Sequence, residues 1–149
     1  MPTAPDADGF VVDASVLVAV LVDSGGEGRW SEKVIASGFL AAPQLVVVET
    51  LKILRRLEAA GQIQALEASF AESELQELSI ELLPIRPFQS RIWELRRNLT
   101  CYDAWYVATA EALQLPLATL DRRLSKASGP RCRFHVPEGD GELATGGET

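Results

Sequence analysis

One histidine, His135, and two cysteines, Cys101 and Cys132, are all the nitrogen and sulfur metal ligands in this 149-residue chain. Zinc fingers and related modules need more of these residues at short paired spacings, so the count excludes them. It also excludes the disulfide framework of small secreted scaffolds. A single histidine makes a Ser-His-Asp triad a poor fit. Cys101, with no histidine near it in sequence, reads as a buried small residue and not as a nucleophile. The longest apolar run, residues 16–22, falls far short of the ~20 residues that span a bilayer. Residues 1–9 are acidic and Pro-containing and carry no basic, apolar leader, so the expected compartment is the cytoplasm. A Cys101–Cys132 bridge is not expected in that reducing setting.

A basic balance is also missing. The net charge is −7, which at face value argues against a nucleic-acid partner. The distribution alters that reading. Six acids and no bases lie in the terminal segments, at Asp6, Asp8, Glu138, Asp140, Glu142 and Glu148. Residues 10–135 hold 15 acids against 14 bases. Cations bound to four of those acids would leave a surface slightly positive overall. Acidity therefore neither supports nor excludes a nucleic-acid substrate.

What is present is an ordinary globular composition, 47% hydrophobic and 23% charged, long enough to bury a core. There is no repeat and no linker. The boundaries expected are a flexible N-terminus over residues 1–9, one domain over 10–136, and a disordered acidic C-terminal tail over 137–149. Within the domain, strands are expected at 10–13, 39–42, 80–85, 117–120 and 132–136. Helices are expected at 14–22, 28–37, 43–60 with Pro43 opening it, 63–78, 88–97 and 100–114. Strands alternating with helices imply an α/β domain with a mainly parallel sheet. In such sheets, sites form beyond the C-terminal ends of the strands.

Four carboxylates fit that location. Asp13 ends the first strand and Asp121 ends the strand before residue 121, although each also suits an ordinary helix N-cap. Asp103 stands three residues after a capping Thr100 and shares a helix face with Tyr106, Val107, Ala110 and Leu113. A carboxylate on such a stripe is costly unless paired or metal-bound, and no base lies between residues 100 and 117. Glu49 sits at the edge of the apolar arc of its helix. Lys52 and Arg56 fall within about 60° of it on a helical wheel, and Val47, Leu51 and Leu54 lie roughly opposite. A solvated Glu49 paired with Lys52 is the plainer alternative. Oxygen-only clusters of this kind suit hard cations, Mg²⁺ or Mn²⁺. The chemistry usually attached to them is in-line displacement at phosphorus, with metal-activated water.

The residues also resemble a known family. Val11-Val12-Asp13-Ala14-Ser15, Val48-Glu49-Thr50-Leu51, Leu54-Arg55-Arg56-Leu57, Asn98-Leu99-Thr100-Cys101-Tyr102-Asp103-Ala104 and Thr119-Leu120-Asp121 are similar in order and spacing to a PIN domain. Residues 10–136 resemble a VapC-type toxin of a type II toxin–antitoxin system. The resemblance implies a three-layer α/β/α sandwich with a central, mainly parallel sheet. It implies a Mg²⁺-dependent endoribonuclease acting on RNA, and a homodimer neutralised by a cognate VapB-type antitoxin. Asp13, Glu49, Asp103 and Asp121 would then be the catalytic, metal-binding acids, with Mn²⁺ a substitute ion. Ser15 would orient a carboxylate or a metal water. Lys52 departs from the family pattern, where a polar amide is common.

Candidate phosphate contacts are Lys52, Arg55, Arg56, Arg96, Arg97 and Arg122, each of which has a plain surface reading. Trp30, Trp93 and Trp105 read as packing residues in preference to base-stacking ones. The broad apolar arc of the 43–60 helix suits a second contact, either a dimer mate or an antitoxin helix. Two rivals remain. A non-catalytic PIN-like scaffold binding RNA or protein would keep the fold without the chemistry. A receiver-like phosphotransfer site needs a late Lys that residues 117–124 do not supply.

Overall fold

Strand β1 (Gly9–Val12) encloses Val11 and Val12 completely. An apolar run buried on both faces belongs in the middle of a parallel sheet covered by helices. The computed structural model describes residues 8–139. The expected flexible N-terminus therefore lies outside the described residues over 1–7, and Gly9 already belongs to the strand. Helix α1 (Ala14–Val22) follows at once, apolar nearly all round, with Val16 and Leu17 fully buried. Such a helix is stable only inside a layer. Helix α2 (Gly26–Ala36) begins two residues before the expected Gly28. Gly28 marks its crossing with the end of α1, where a Cβ would stand 1.9 Å from the Asp23 carbonyl oxygen, so no larger residue fits.

Strand β2 (Phe39–Pro43) and helix α3 (Leu45–Ala59) correct the expected role of Pro43. Pro43 does not open the helix. It closes the strand in register with Leu83, and the amide of Gln44 supplies the next ladder bond, to Leu83 at 2.9 Å. A proline tolerates a strand end because the ladder there does not need its missing N–H. Helix α4 (Ala65–Glu77) and strand β3 (Glu81–Leu83) come next. A 3-10 turn (Arg86–Phe88) then leads into helix α5 (Gln89–Glu94), and helix α6 (Cys101–Leu113) is capped by Thr100. Strand β4 (Leu117–Ala118), the short helix α7 (Arg122–Ser125) and strand β5 (Phe134–His135) complete the described chain. Strands β4 and β5 are shorter than expected; past Ala118, the Thr119 hydroxyl and Leu120 amide bond Asp13 and Ser15. Of the expected C-terminal tail, residues 140–149 lie outside the described residues.

The five strands are all parallel, in the order β3-β2-β1-β4-β5. Helix α1 packs against α2, α3 and α4, while α6 packs against α5 and against β1, β2 and β4. The result is the expected three-layer α/β/α sandwich. The chain leaves β1 toward β2 and returns later to β1's other side as β4, so a crevice opens between the C-terminal ends of β1 and β4. Among the described residues, no helix is long and apolar enough to cross a membrane.

One clamp was not foreseen. Arg91 on α5 donates twice to Glu111 on α6, at 2.7 and 3.1 Å, and to the Gly129 carbonyl at 3.0 Å. Glu111 also accepts from the Arg131 amide at 2.7 Å. Burial alone would raise the Glu111 carboxyl, but these donors outweigh it and hold it below its ordinary pKa. Gly129 adopts φ +108°, a backbone conformation that favours glycine.

Candidate functional site

Asp13 is the residue where β1 becomes α1, and it is 9% exposed. Its Oδ1 accepts the Ser15 hydroxyl at 2.5 Å and the Val16 amide at 3.3 Å, and its Oδ2 accepts the Thr119 hydroxyl. Burial nevertheless pushes its pKa up to about 6, with the hydrogen bonds pulling the other way. Ser15 Oγ in turn accepts from the Leu120 amide at 3.1 Å, and Thr119 Oγ1 accepts from the Asp121 amide at 3.0 Å. Two hydroxyls thus tie the end of β1 to the end of β4.

Asp121 caps α7, its Oδ1 accepting from the amides of Arg123 at 3.0 Å and Leu124 at 3.2 Å. For both Asp13 and Asp121 the capping reading therefore holds, and it is the cap that fixes each carboxylate at the crevice. Asp103 lies in the first turn of α6, its amide donating to the capping Thr100 hydroxyl at 3.1 Å. Its pKa is raised, first by burial and then by the charges of Asp121 and, more weakly, Glu49, with Thr100 and Arg123 offsetting part of the effect. Arg123 from α7 thus stands near Asp103, although no base occurs in its own stretch of sequence.

Glu49 accepts the Tyr106 hydroxyl at 2.6 Å. That phenol is 2% exposed, and its pKa is driven up by burial, by the Glu49 bond and by the charges of Glu49, Asp13 and Asp103, so it stays a proton donor. The helical wheel for α3 needs correction. Its buried side runs through Val46, Thr50 and Leu54, whereas Leu51 is 39% exposed and Val48 64%. The unbroken valine run left the wheel without one clear stripe. Thr50 takes the core position because its hydroxyl is satisfied by the Val46 carbonyl at 2.7 Å. Glu49, half-buried beside Thr50, faces the crevice side of the sheet.

Acids from four separate elements therefore gather at one crevice: Asp121 and Glu49 act on Asp103, and Glu49, Asp13 and Asp103 all act on Tyr106. Each of three already rests on donors: Asp13 on hydroxyls, Glu49 on a phenol, Asp121 on backbone amides. Among the described residues no three acidic, histidine or cysteine side chains are set at the spacing of a ready metal centre.

Thr119 and Tyr106 were missed as site residues. The sequence did carry signals: Thr119 stands two residues before Asp121, and Tyr106 one helical turn after Asp103. The basic candidates lie outside the acid cluster. Lys52, Arg55 and Arg56 are exposed on α3, Arg97 is exposed after α5, and Arg122 donates to the Pro137 carbonyl at 2.6 Å. Arg96 donates to the Trp93 carbonyl at 2.8 Å and lies 4.4 Å over that indole ring. Trp30 packs half-buried on His135, which stacks on Phe10, and Trp105 is half-buried with an enclosed, unpartnered Nε1. Trp93 is the exception to the packing expectation, at 62% exposed. Cys101 is likewise exposed, contrary to expectation, because it opens α6 at the surface. Burial pushes the Cys132 thiol up to about 11, which keeps it inert.

Residues 10–130 match the PIN domain family. The chain belongs to that family. Among PIN proteins it is 38% identical over 127 residues to ribonuclease VapC9 of Mycobacterium tuberculosis, an alignment covering 85% of this chain and 97% of the relative. It is 36% identical over 130 residues to ribonuclease VapC1 of the same organism, covering 87% and 98%. It is thus a VapC-type PIN protein. PAE2754 of Pyrobaculum aerophilum superposes with a TM-score of 0.61 at 27% identity, over 78% of this chain and 77% of that one. The sarcin–ricin-loop-cleaving toxin VapC20 of M. tuberculosis shares the fold, with a TM-score of 0.57 at 15% identity over 92% and 95%. The PIN match spans all four acids and both hydroxyl bridges between β1 and β4.

Proposed function

We propose that this PIN protein is a divalent-metal-dependent endoribonuclease, with Mg²⁺ as the working ion and Mn²⁺ able to replace it. The observation that carries the reading is the convergence of Asp13, Glu49, Asp103 and Asp121 on the β1–β4 crevice, in a chain whose relatives bear the name VapC ribonuclease. The donor set fits such a group: it is all oxygen, burial holds Asp13 above its ordinary pKa, and burial with like charge does the same for Asp103, a state that a cation relieves. These four carboxylates would hold the ion. A bound divalent cation supplies Lewis acidity, lowering the pKa of water and neutralising charge on a phosphodiester. The protein's own residues do the rest. Ser15 and Thr119 orient Asp13, Tyr106 keeps Glu49 turned to the crevice, and Arg123 tempers the field around Asp103.

Lys52, Arg56, Arg96, Arg97 and Arg122 are the side chains we assign to the RNA backbone. The exposed Val48 and Leu51 on α3 suit a homodimer mate or a VapB-type antitoxin, and an antitoxin covering the crevice would silence the enzyme. A non-catalytic scaffold is the second reading, favoured by the lack of three acids already at ligating spacing among the described residues. Incubating the purified chain with total RNA, in Mg²⁺ or EDTA and beside the Asp103→Asn variant, separates the two. The expected result is discrete fragments that need metal and vanish in the variant, with 5′-phosphate and 3′-hydroxyl ends. RNA left intact by a folded wild type that takes up no divalent ion would favour the scaffold.

A further inference from the structure

Indole is the most apolar-rich side chain that a folded surface commonly hides, yet Trp93 at the end of α5 is 62% exposed. It is not loose. The Arg96 guanidinium lies 4.4 Å over the ring and donates to the Trp93 carbonyl at 2.8 Å, which fixes a flat, cationic stack at the surface. Helices α5 and α6 run back to back. Arg91 pairs with Glu111, about 12 Å along α6 from Asp103 at 1.5 Å per residue, and the chain then returns through residues 95–99 to Thr100. Arg96 and Arg97, just past the end of α5, therefore stand within four residues of the Thr100 cap of the helix that carries Asp103. Tyr102, the residue before Asp103, is also 62% exposed. Two open aromatic rings, Trp93 and Tyr102, and two exposed arginines, Arg96 and Arg97, thus flank the Thr100 cap of α6 along the chain, with Tyr102 next to Asp103.

Charge singles out the same region. Residues 86–133 carry nine bases against four acids, whereas the rest of the chain carries five bases against seventeen acids. Two of those four acids, Glu94 and Glu111, are occupied by Arg91. The positive charge of an otherwise acidic protein is thus concentrated in the stretch that carries Trp93 and Tyr102. Protein contacts also use Trp, Tyr and Arg, but they do not call for a surplus of positive charge as well. A single-stranded polynucleotide does: its bases stack on aromatic faces and arginine planes, and its phosphates track basic side chains.

We infer that Trp93, backed by Arg96 and accompanied by Tyr102, is a stacking ledge that holds an unpaired base of RNA whose backbone leads into the crevice. This rests on RNA being the substrate. It adds that Trp93 and Tyr102 are binding residues and not packing ones. Duplex bases are already stacked on their neighbours and cannot use the ledge.

The test is fluorescence anisotropy with a labelled, unstructured 12-nucleotide RNA and with the same strand annealed to its complement, in EDTA so that cleavage plays no part. Trp93→Ala is expected to bind the single strand about 5- to 100-fold more weakly than wild type. Trp93→Phe, which keeps a ring, should recover most of that loss. Duplex binding should change by less than twofold in both variants. Arg96→Gln should weaken binding and flatten its salt dependence, whereas Trp93→Ala should leave the salt slope unchanged. Equal single-strand affinity in wild type and Trp93→Ala overturns the inference, as does an absence of binding by wild type. A change of molecular mass in Trp93→Ala with single-strand affinity intact also overturns it, making the ring a subunit contact. Trp93-dependent binding by a protein that cuts no RNA would leave the ledge standing while removing the nuclease reading.

Discussion

Asp13 carries the clearest consequence of single-residue placement. Its carboxyl sits at about 6 in the fold against an ordinary value of 3.8, chiefly because it is buried. Between those two pH values the folded chain keeps a proton that the unfolded chain has released. Asp13 therefore burdens the fold increasingly as pH rises through 4 to 6, by up to about 3 kcal/mol once both states are ionised. Asp13→Asn removes that burden. In EDTA at pH 7.5 the variant should melt several degrees above wild type, and the gap should narrow to about a third at pH 4.5. A melting difference that does not change with pH would refute this account of the Asp13 environment. Much at this scale was legible in advance. Asp13, Asp103 and Asp121 stood out because a carboxylate at a strand end or on an apolar stripe needs a reason. Thr119 and Tyr106 were not, because a threonine in a strand and a tyrosine on a buried face are ordinary packing residues until a distant carboxylate is brought to them. Those carboxylates lie 106 and 57 residues away in sequence.

Helices and strands were read well where sequence periodicity acts alone, and less well where tertiary pairing decides. Helix α1 begins and ends at the residues its apolar run and flanking aspartates indicate. The boundary between β2 and α3 was misplaced because Pro43 serves a helix start and a strand end equally well, and only the pairing with β3 selects the strand. The orientation of α3 was ambiguous because three consecutive valines offer no unique face. The Arg91–Glu111–Gly129 clamp lay beyond sequence reading altogether, since it joins residues 20 and 38 positions apart. Its energetic weight is testable. The Arg91 and Glu111 side chains are 21% and 15% exposed, so Arg91→Met would leave a nearly buried carboxylate with the Arg131 amide as its remaining hydrogen-bond donor. We expect it to cost about 1–3 kcal/mol in urea unfolding, with the Arg91→Met, Glu111→Leu double variant recovering part of the loss. A double variant no better than the single would show that the pair matters for more than mutual compensation.

Across the whole molecule, the sheet order places the ends of β1 and β4 side by side, and the four acids inherit their meeting point from that topology. The alternation of strands and helices made the layered fold legible, and the rule that sites lie beyond C-terminal strand ends pointed to the crevice before any distance was known. Net charge was the weakest guide, because a total of −7 averages a basic stretch against an acidic remainder. The central claim is that these four carboxylates act together on one kind of ligand, a hard divalent cation. Calorimetric titration of Mg²⁺ and Mn²⁺ into the wild-type chain and into folded Asp13→Asn and Asp103→Asn variants tests this most directly. Saturable binding by wild type, weakened at least about tenfold in each variant, is the result expected when a charged ligand to the ion is lost. Wild type that takes up neither ion, or variants that bind as tightly as wild type, would contradict the claim.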